Sequence, residues 1–289
     1  IDDSDYLFLL NSLNLQKKLI QDQIEQMQLV ESAIEDTVRV IEQEHQIDWS
    51  QMLDLIHLTN MEKSLKSQYQ NASNISSRIR LHKEYSTNSK GWFPWIFEHC
   101  NLKPNERVLE IGCGNGALWT ENLNHIPSNL SILLSDVSDG MLRDARRNLP
   151  SGDKRFSFAC FDCHSFPSSL SAFDLIIANH VLFYCNDLPK VFKQIQRSLK
   201  KGGHFLCSTY GKRHMIEISE LVQEFDSRIV LSAKKLYEQF GLANGEALLK
   251  PYFSDVQCIR YEDSIELDRA EPLIEYILSC HGNQNQMLL

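Results

Sequence analysis

The chain has 289 residues, 43% hydrophobic and 23% charged, a globular composition long enough for one or two domains. Its 38 acidic residues exceed its 29 basic ones, for a formal charge of −9, so it lacks the basic footprint of a nucleic-acid-binding surface. No apolar run reaches the roughly 18 residues of a membrane span, and no signal peptide is read. The eight cysteines, several inside apolar runs, suggest buried free thiols in a reducing cytoplasm. Because the first residue is Ile1 rather than Met, an N-terminal segment is expected to be missing.

Residues 1–45 contain no Gly, Pro or Trp. Apolar residues recur there at alternating three- and four-residue steps: Leu10, Leu13, Ile20, Ile24, Met27, Ile34, Val38 and Ile41. This is a heptad seam, interrupted by Lys17, Glu31 and His45, and it predicts a dimerising helix over residues 1–47. A parallel pairing would set Lys17 against Lys17 and Glu31 against Glu31. An antiparallel pairing centred between Ile24 and Met27 puts the opposite charges in neighbouring layers, and is expected. Residues 48–90 read as a helical linker and lid. Asp48 caps one helix, a second follows Asn74, and a polar break runs from Ser86 to Gly91.

From residue 91 strands alternate with helices, the pattern of an α/β domain with a mostly parallel, doubly wound sheet. The strongest motif is RVLEIGCGNG, Arg107 to Gly116. An apolar strand (Val108, Leu109, Ile111), with Glu110 at its carboxyl end, runs into Gly112, Gly114 and Gly116, which let the backbone turn tightly and let a ligand lie against bare main chain. A second strand from Ser131 ends in Asp136, 20 residues after Gly116, a spacing at which an acid accepts hydrogen bonds from ribose hydroxyls. A third is expected over Phe156 to Phe161 with Asp162 at its end, and a fourth over Phe173 to Ala178, followed by Asn179-His180-Val181-Leu182-Phe183-Tyr184. Gly202-Gly203 is expected to precede a fifth strand, His204 to Thr209. A sixth is expected over Val256 to Tyr261, and a helix over Ala270 to Ser279.

This order of motifs resembles the class I S-adenosyl-L-methionine-dependent methyltransferases, a Rossmann-like fold. The resemblance covers roughly residues 76–278 and implies S-adenosyl-L-methionine as cofactor. It implies that Glu110, Gly112, Cys113, Gly114, Asp136, Val137, Asp162, Cys163 and Asn179 line the cofactor, with Tyr85 either a lid contact or simple packing. It also implies that His180 and Tyr184 face a small-molecule methyl acceptor, His180 as base or as positioning residue. Trp119 is expected to pack in the core. Helices over about 214–250 are read as an insertion covering the substrate, which makes residues 91–289 the methyltransferase domain.

No Asn/Asp-Pro-Pro-Tyr and no Pro-Cys follows the fourth strand, so amino-nitrogen methylation by that motif and cysteine-nucleophile chemistry are not expected. Cys160-x-x-Cys163 with His164 falls short of four zinc ligands. No metal is expected, and Cys160 should point into the sheet. A dimerising helix joined to such a domain also resembles the MerR-type transcription regulators. Two readings follow: an active methyltransferase, or a regulator whose domain senses S-adenosyl-L-methionine or a metabolite with little catalysis. Either is expected as a cytoplasmic homodimer without membrane contact. No nucleic-acid contact comes from these residues, though a DNA-binding domain could precede Ile1.

Overall fold

The computed structural model describes residues 78–280 except 168, 169, 171, 233 and 234, together with Glu35 and Val38. The chain divides into two compact units, Ile1–Ala72 and Ser73–Leu289. In the first, Glu35 and Val38 are helical and exposed. The rest of the heptad seam, its antiparallel pairing and the helix after Asp48 lie outside the described residues. No helix among the described residues is long and apolar enough to cross a membrane.

The second unit begins with α1 (residues 78–85) and α2 (Trp92–His99). It continues as β1 (Arg107–Ile111), α3 (Ala117–Thr120), β2 (Ser131–Asp136), α4 (Asp139–Asn148), β3 (Phe156–Cys160) and β4 (Phe173–Ala178). Then come a 3-10 turn (Leu182–Tyr184), α5 (Leu188–Ser198), β5 (Leu199–Cys207), α6 (Ile216–Phe225), α7 (Leu236–Gln239), α8 (Gly245–Leu249) and α9 (Glu271–Leu278). The five strands form one sheet in the order β3-β2-β1-β4-β5, every pair parallel. The chain order reverses beside β1, and in such sheets ligands bind beyond the carboxyl ends of the strands at that point.

Alternation along the strands explains the two cores. Val108, Ile132, Leu134, Leu175 and Ile177 point to one face, with Trp119, Leu142 and Ile96. Leu109, Ile111, Ile176 and Ala178 point to the other, under Val191, Phe192 and Ile195 of α5 and under Phe240. Strands buried on both faces read as continuous apolar runs, and each fully buried aliphatic side chain contributes about 1.5–3 kcal/mol. Local chemistry fixes the helix starts: Ser138 Oγ accepts from Met141 N at α4, and the Asp187 carboxylate accepts from Lys190 N at α5.

Four expectations change. β3 stops at Cys160, leaving Phe161 outside it. β5 begins at Leu199, before the glycine pair, and pairs Phe173 with Leu199 but Leu175 with His204. Gly202 and Gly203 form the bulge, where a Cβ on Gly203 would sit 3.0 Å from Phe173 O. The expected sixth strand, Val256 to Tyr261, forms no strand. Tyr261 packs its ring 5.2 Å from those of both Trp92 and Trp95. The chain then meets residues 85–87 instead of the sheet edge, through Thr87 N to Ser264 O and Glu266 N to Tyr85 O. Finally, Cys160 does not point into the sheet. It is exposed on an edge strand, its thiol 3.6 Å from Val137 O.

Candidate functional site

Glu110 is the next-to-last residue of β1, on the face shared with Val108, and is only 2% exposed. Its Oε2 accepts a 2.6 Å hydrogen bond from Trp119 Nε1, so Trp119 is both a core residue and the partner of a buried acid. Burial raises the Glu110 carboxyl to about 7 against the pull of that hydrogen bond, and repulsion from Asp136 adds to the rise. This partnership was not legible in the sequence, where an indole nine residues after an acid carries no signal.

The three glycines do three different things. Gly112 has φ +67, and a Cβ there would lie 2.4 Å from Val181 Cγ2. The space expected to belong to the cofactor at this position is therefore filled by the segment after β4. Gly116 packs α3 on α4, where its Cβ would touch Ala145 Cβ at 3.4 Å. Only Gly114, at φ +54, has nothing within 4 Å of such a Cβ. Bare backbone there fronts open space, which a flat or extended ligand could occupy.

Asp136 holds this loop in place. Its Oδ2 accepts from Gly114 N at 3.0 Å and its Oδ1 from Ser138 N at 2.9 Å. Each oxygen retains a lone pair for an outside donor such as a ribose hydroxyl. Burial raises its pKa, and the backbone N–H groups oppose that rise. Val137 beside it is 70% exposed, an apolar side chain next to the open loop. These residues fit the implied cofactor: an acid for a cation, a bare glycine, a ribose acceptor and an apolar cover.

Other expected cofactor residues are placed differently. The Cys113 side chain is buried in the core with Ile96 and Leu118, and burial pushes its thiol well up. Its backbone N–H donates to Ser135 O at 2.9 Å, and its thiol donates to Gly114 O at 3.6 Å within the loop. Asp162 is exposed, and its Oδ1 lies 2.6 Å from His164 Nδ1. Cys163 turns towards Cys185, with the sulfurs 3.4 Å apart. The Tyr85 hydroxyl accepts from Arg269 Nε at 3.2 Å, which ties it to the segment before α9.

On the acceptor side, Asn179 Oδ1 accepts from Ser208 Oγ at 2.6 Å, and Ser208 Oγ accepts from His180 N at 2.9 Å. Ser208, just past β5, was not singled out from the sequence. His180 sits at φ +56, a left-handed conformation that costs a non-glycine residue of order 1–3 kcal/mol and clusters at functional sites. Its ring lies 5.1 Å from Trp92 and 5.9 Å from Phe183. Burial, then His214 and His82, lowers its pKa to about 4, so the imidazole is neutral near pH 7. Trp92 Nε1 beside it is buried without a hydrogen-bond partner. Tyr184 does not share this enclosure: it is 57% exposed, with its ring against Phe183.

Comparison with known proteins identifies the family. Among relatives, a malonyl-[acyl-carrier protein] O-methyltransferase of Ilyobacter polytropus is 30% identical over 152 residues, 52% of this chain and 55% of that protein. A bifunctional biotin-biosynthesis protein BioHC of Saccharophagus degradans is 25% identical over 178 residues, 62% of this chain and 30% of that protein. This chain thus matches about half or less of the length of these relatives. Among solved structures, a methyltransferase described as putative from Bacillus halodurans is 16% identical, covers 55% of this chain and 67% of that one, and has a TM-score of 0.41. The methyltransferase-domain family matches residues 102–256, more than half of the chain. The chain therefore belongs to that family, the class I methyltransferases that use S-adenosyl-L-methionine.

Proposed function

We propose that this chain transfers a methyl group from S-adenosyl-L-methionine to a small-molecule acceptor held beside His180. The observation that carries the reading is the bare Gly114 backbone, facing open space and fixed by Asp136. Glu110, Gly114, Asp136 and Val137 are the donor side. His180 and Asn179 are the acceptor side, and Tyr184 and Tyr85 lie at its margins.

The bound cofactor supplies a methyl carried on a positively charged sulfur. Transfer then needs in-line placement and exclusion of water. With a pKa near 4, His180 is a weak base, and its role is to orient the acceptor. A carboxylate asks least of such a site, because it arrives without a proton. Two of the relatives' names, the malonyl-[acyl-carrier protein] O-methyltransferases of Ilyobacter polytropus and of Methylovorus, favour that class. Trp92 Nε1 offers the acceptor a buried donor.

The test is incubation with methyl-labelled S-adenosyl-L-methionine and carboxylate acceptors. Label is expected in a base-labile ester, and a chain that binds no cofactor in calorimetry would sink the proposal. Asp136→Ala is expected to weaken cofactor binding by ~1–3 kcal/mol, the scale of an unpaired hydrogen-bonding site. Unchanged affinity would remove Asp136 from the donor side.

A second reading rests on the heptad seam. Here residues 1–47 form an antiparallel dimerisation helix, 48–90 a linker and lid, and 91–289 the effector domain of a MerR-like cytoplasmic regulator. That domain would either catalyse methyl transfer or sense the cofactor. Replacing Ile24 and Met27 with Glu puts like charges near the two-fold axis and is expected to give monomers. Light scattering that finds the unmodified chain monomeric at micromolar concentration would refute the dimer.

A further inference from the structure

Cys185, which follows the 3-10 turn after β4, is 2% exposed. Its Sγ lies 3.4 Å from Cys163 Sγ, and Cys163 Sγ lies 3.8 Å from His164 Nδ1. The three ligand atoms fall within 4.8 Å of one another. In a tetrahedral zinc site with Zn–S near 2.3 Å and Zn–N near 2.0–2.1 Å, ligand atoms stand roughly 3.5–3.8 Å apart. The two separations to Cys163 Sγ need adjustment of only a few tenths of an ångström. Asp162 Oδ1, 2.6 Å from His164 Nδ1, stands beside this trio and orients the imidazole.

We propose that Cys163, His164 and Cys185, with a water as fourth ligand, bind a soft divalent cation of the zinc type. Two thiolates and an imidazole select such an ion over magnesium or calcium. On binding, the two thiols release their protons to solvent, and the neutral imidazole shifts its proton from Nδ1 to Nε2, which frees the Nδ1 lone pair for the ion. Nδ1 gives up its hydrogen bond to Asp162, and Nε2 gives up the one it accepts from Asp187 N at 3.4 Å. Cys160, the other half of the sequence motif, is not a ligand. It sits on β3 with its thiol near Val137 O.

The site has a mechanical consequence. Residues 162–164 follow β3 and Cys185 follows β4, and β2 and β1 lie between those strands in the sheet. No strand pairing joins the two segments, so an ion would link what the backbone ladders leave separate. Ion binding to the folded chain alone raises its melting temperature by mass action.

The test uses the full chain, fully reduced and without oxygen, titrated with Co2+ and then Zn2+. One Co2+ per chain is expected, with an intense near-ultraviolet thiolate-to-cobalt band that Zn2+ abolishes, and a higher melting temperature. Cys163→Ser/Cys185→Ser is expected to lose the band and the stabilisation, while Cys160→Ser keeps both. If the double variant does not fold by circular dichroism, His164→Ala decides, with at least a tenfold weaker ion affinity expected. The proposal is overturned if the reduced chain binds no ion, if the folded double variant or His164→Ala binds as the parent does, or if Cys160→Ser alone abolishes binding. A Cys163–Cys185 disulfide in the isolated protein, with no ion bound after its reduction, would overturn it equally.

Discussion

Gly114→Ala is expected to abolish cofactor binding and leave the domain folded. The added methyl meets no protein atom within 4 Å, so it intrudes only on what occupies the space outside the loop. The backbone there is left-handed, at φ +54, and an L-residue in that conformation costs roughly 1–2 kcal/mol. The melting temperature should therefore fall by a few degrees while calorimetric binding of S-adenosyl-L-methionine falls at least a hundredfold. Gly112→Ala is expected to behave in the opposite order. Its Cβ would stand 2.4 Å from Val181 Cγ2, and overpacking of this kind costs about 1–3 kcal/mol beyond the left-handed strain. Loss of stability should dominate, and Val181→Ala in the same chain should recover part of it. Gly114→Ala binding the cofactor with parental affinity would show that the open face of the loop is not the donor site.

Much of this architecture is legible in the sequence because the central strands are buried on both faces. Val108–Ile111 and Phe173–Ala178 announce themselves as short apolar runs, and the acid at the end of each of β1 and β2 falls where the turn into the site begins. The edges are harder to read. Val256 to Tyr261 reads as a strand, yet Tyr261 packs on the aromatic rings of α2 while Val256 joins the other core and Ile259 stays exposed, and the local pattern does not reveal which surface a residue will meet. Gly202-Gly203 mark a bulge inside β5, where the local pattern suggested a turn ahead of it. The site's long-range contacts were hidden for the same reason. Trp119 on Glu110, Val181 against Gly112, Ser208 under Asn179 and Cys185 beside Cys163 join residues 9, 69, 29 and 22 positions apart. None follows a helical or strand period. Tyr184, chosen for its place after β4, turns outward because the 3-10 turn buries Leu182 and Phe183 instead.

Glu110→Gln is expected to separate the electrostatic role of the acid from its shape. In the folded chain the carboxyl is raised from 4.5 to about 7, chiefly by burial, so between those values the native state holds a proton that the unfolded chain has released. Stability from this group therefore falls as pH rises from about 4.5 to 7 and levels off above. The size is about 3 kcal/mol at one pKa unit per 1.36 kcal/mol. Glutamine carries no charge at any pH, so the variant should lose this slope and melt at a higher temperature than the parent at pH 8. Cofactor affinity should move the other way. On the proposed donor side, where Glu110 partners the positively charged cofactor, that partner is ionised only above about pH 7, so parental affinity is expected to rise several-fold from pH 6 to pH 8. The variant should bind more weakly at pH 8 and show a flat profile. Trp119 Nε1 still finds an oxygen on the substituted amide, which keeps the indole in place. Parallel pH profiles for parent and variant, in melting and in calorimetry, would show that Glu110 is not the group that titrates. A variant that is more stable at pH 8 yet binds less well there would mark Glu110 as an acid kept in a buried place at a cost to the fold, for the sake of the charge it presents to its ligand.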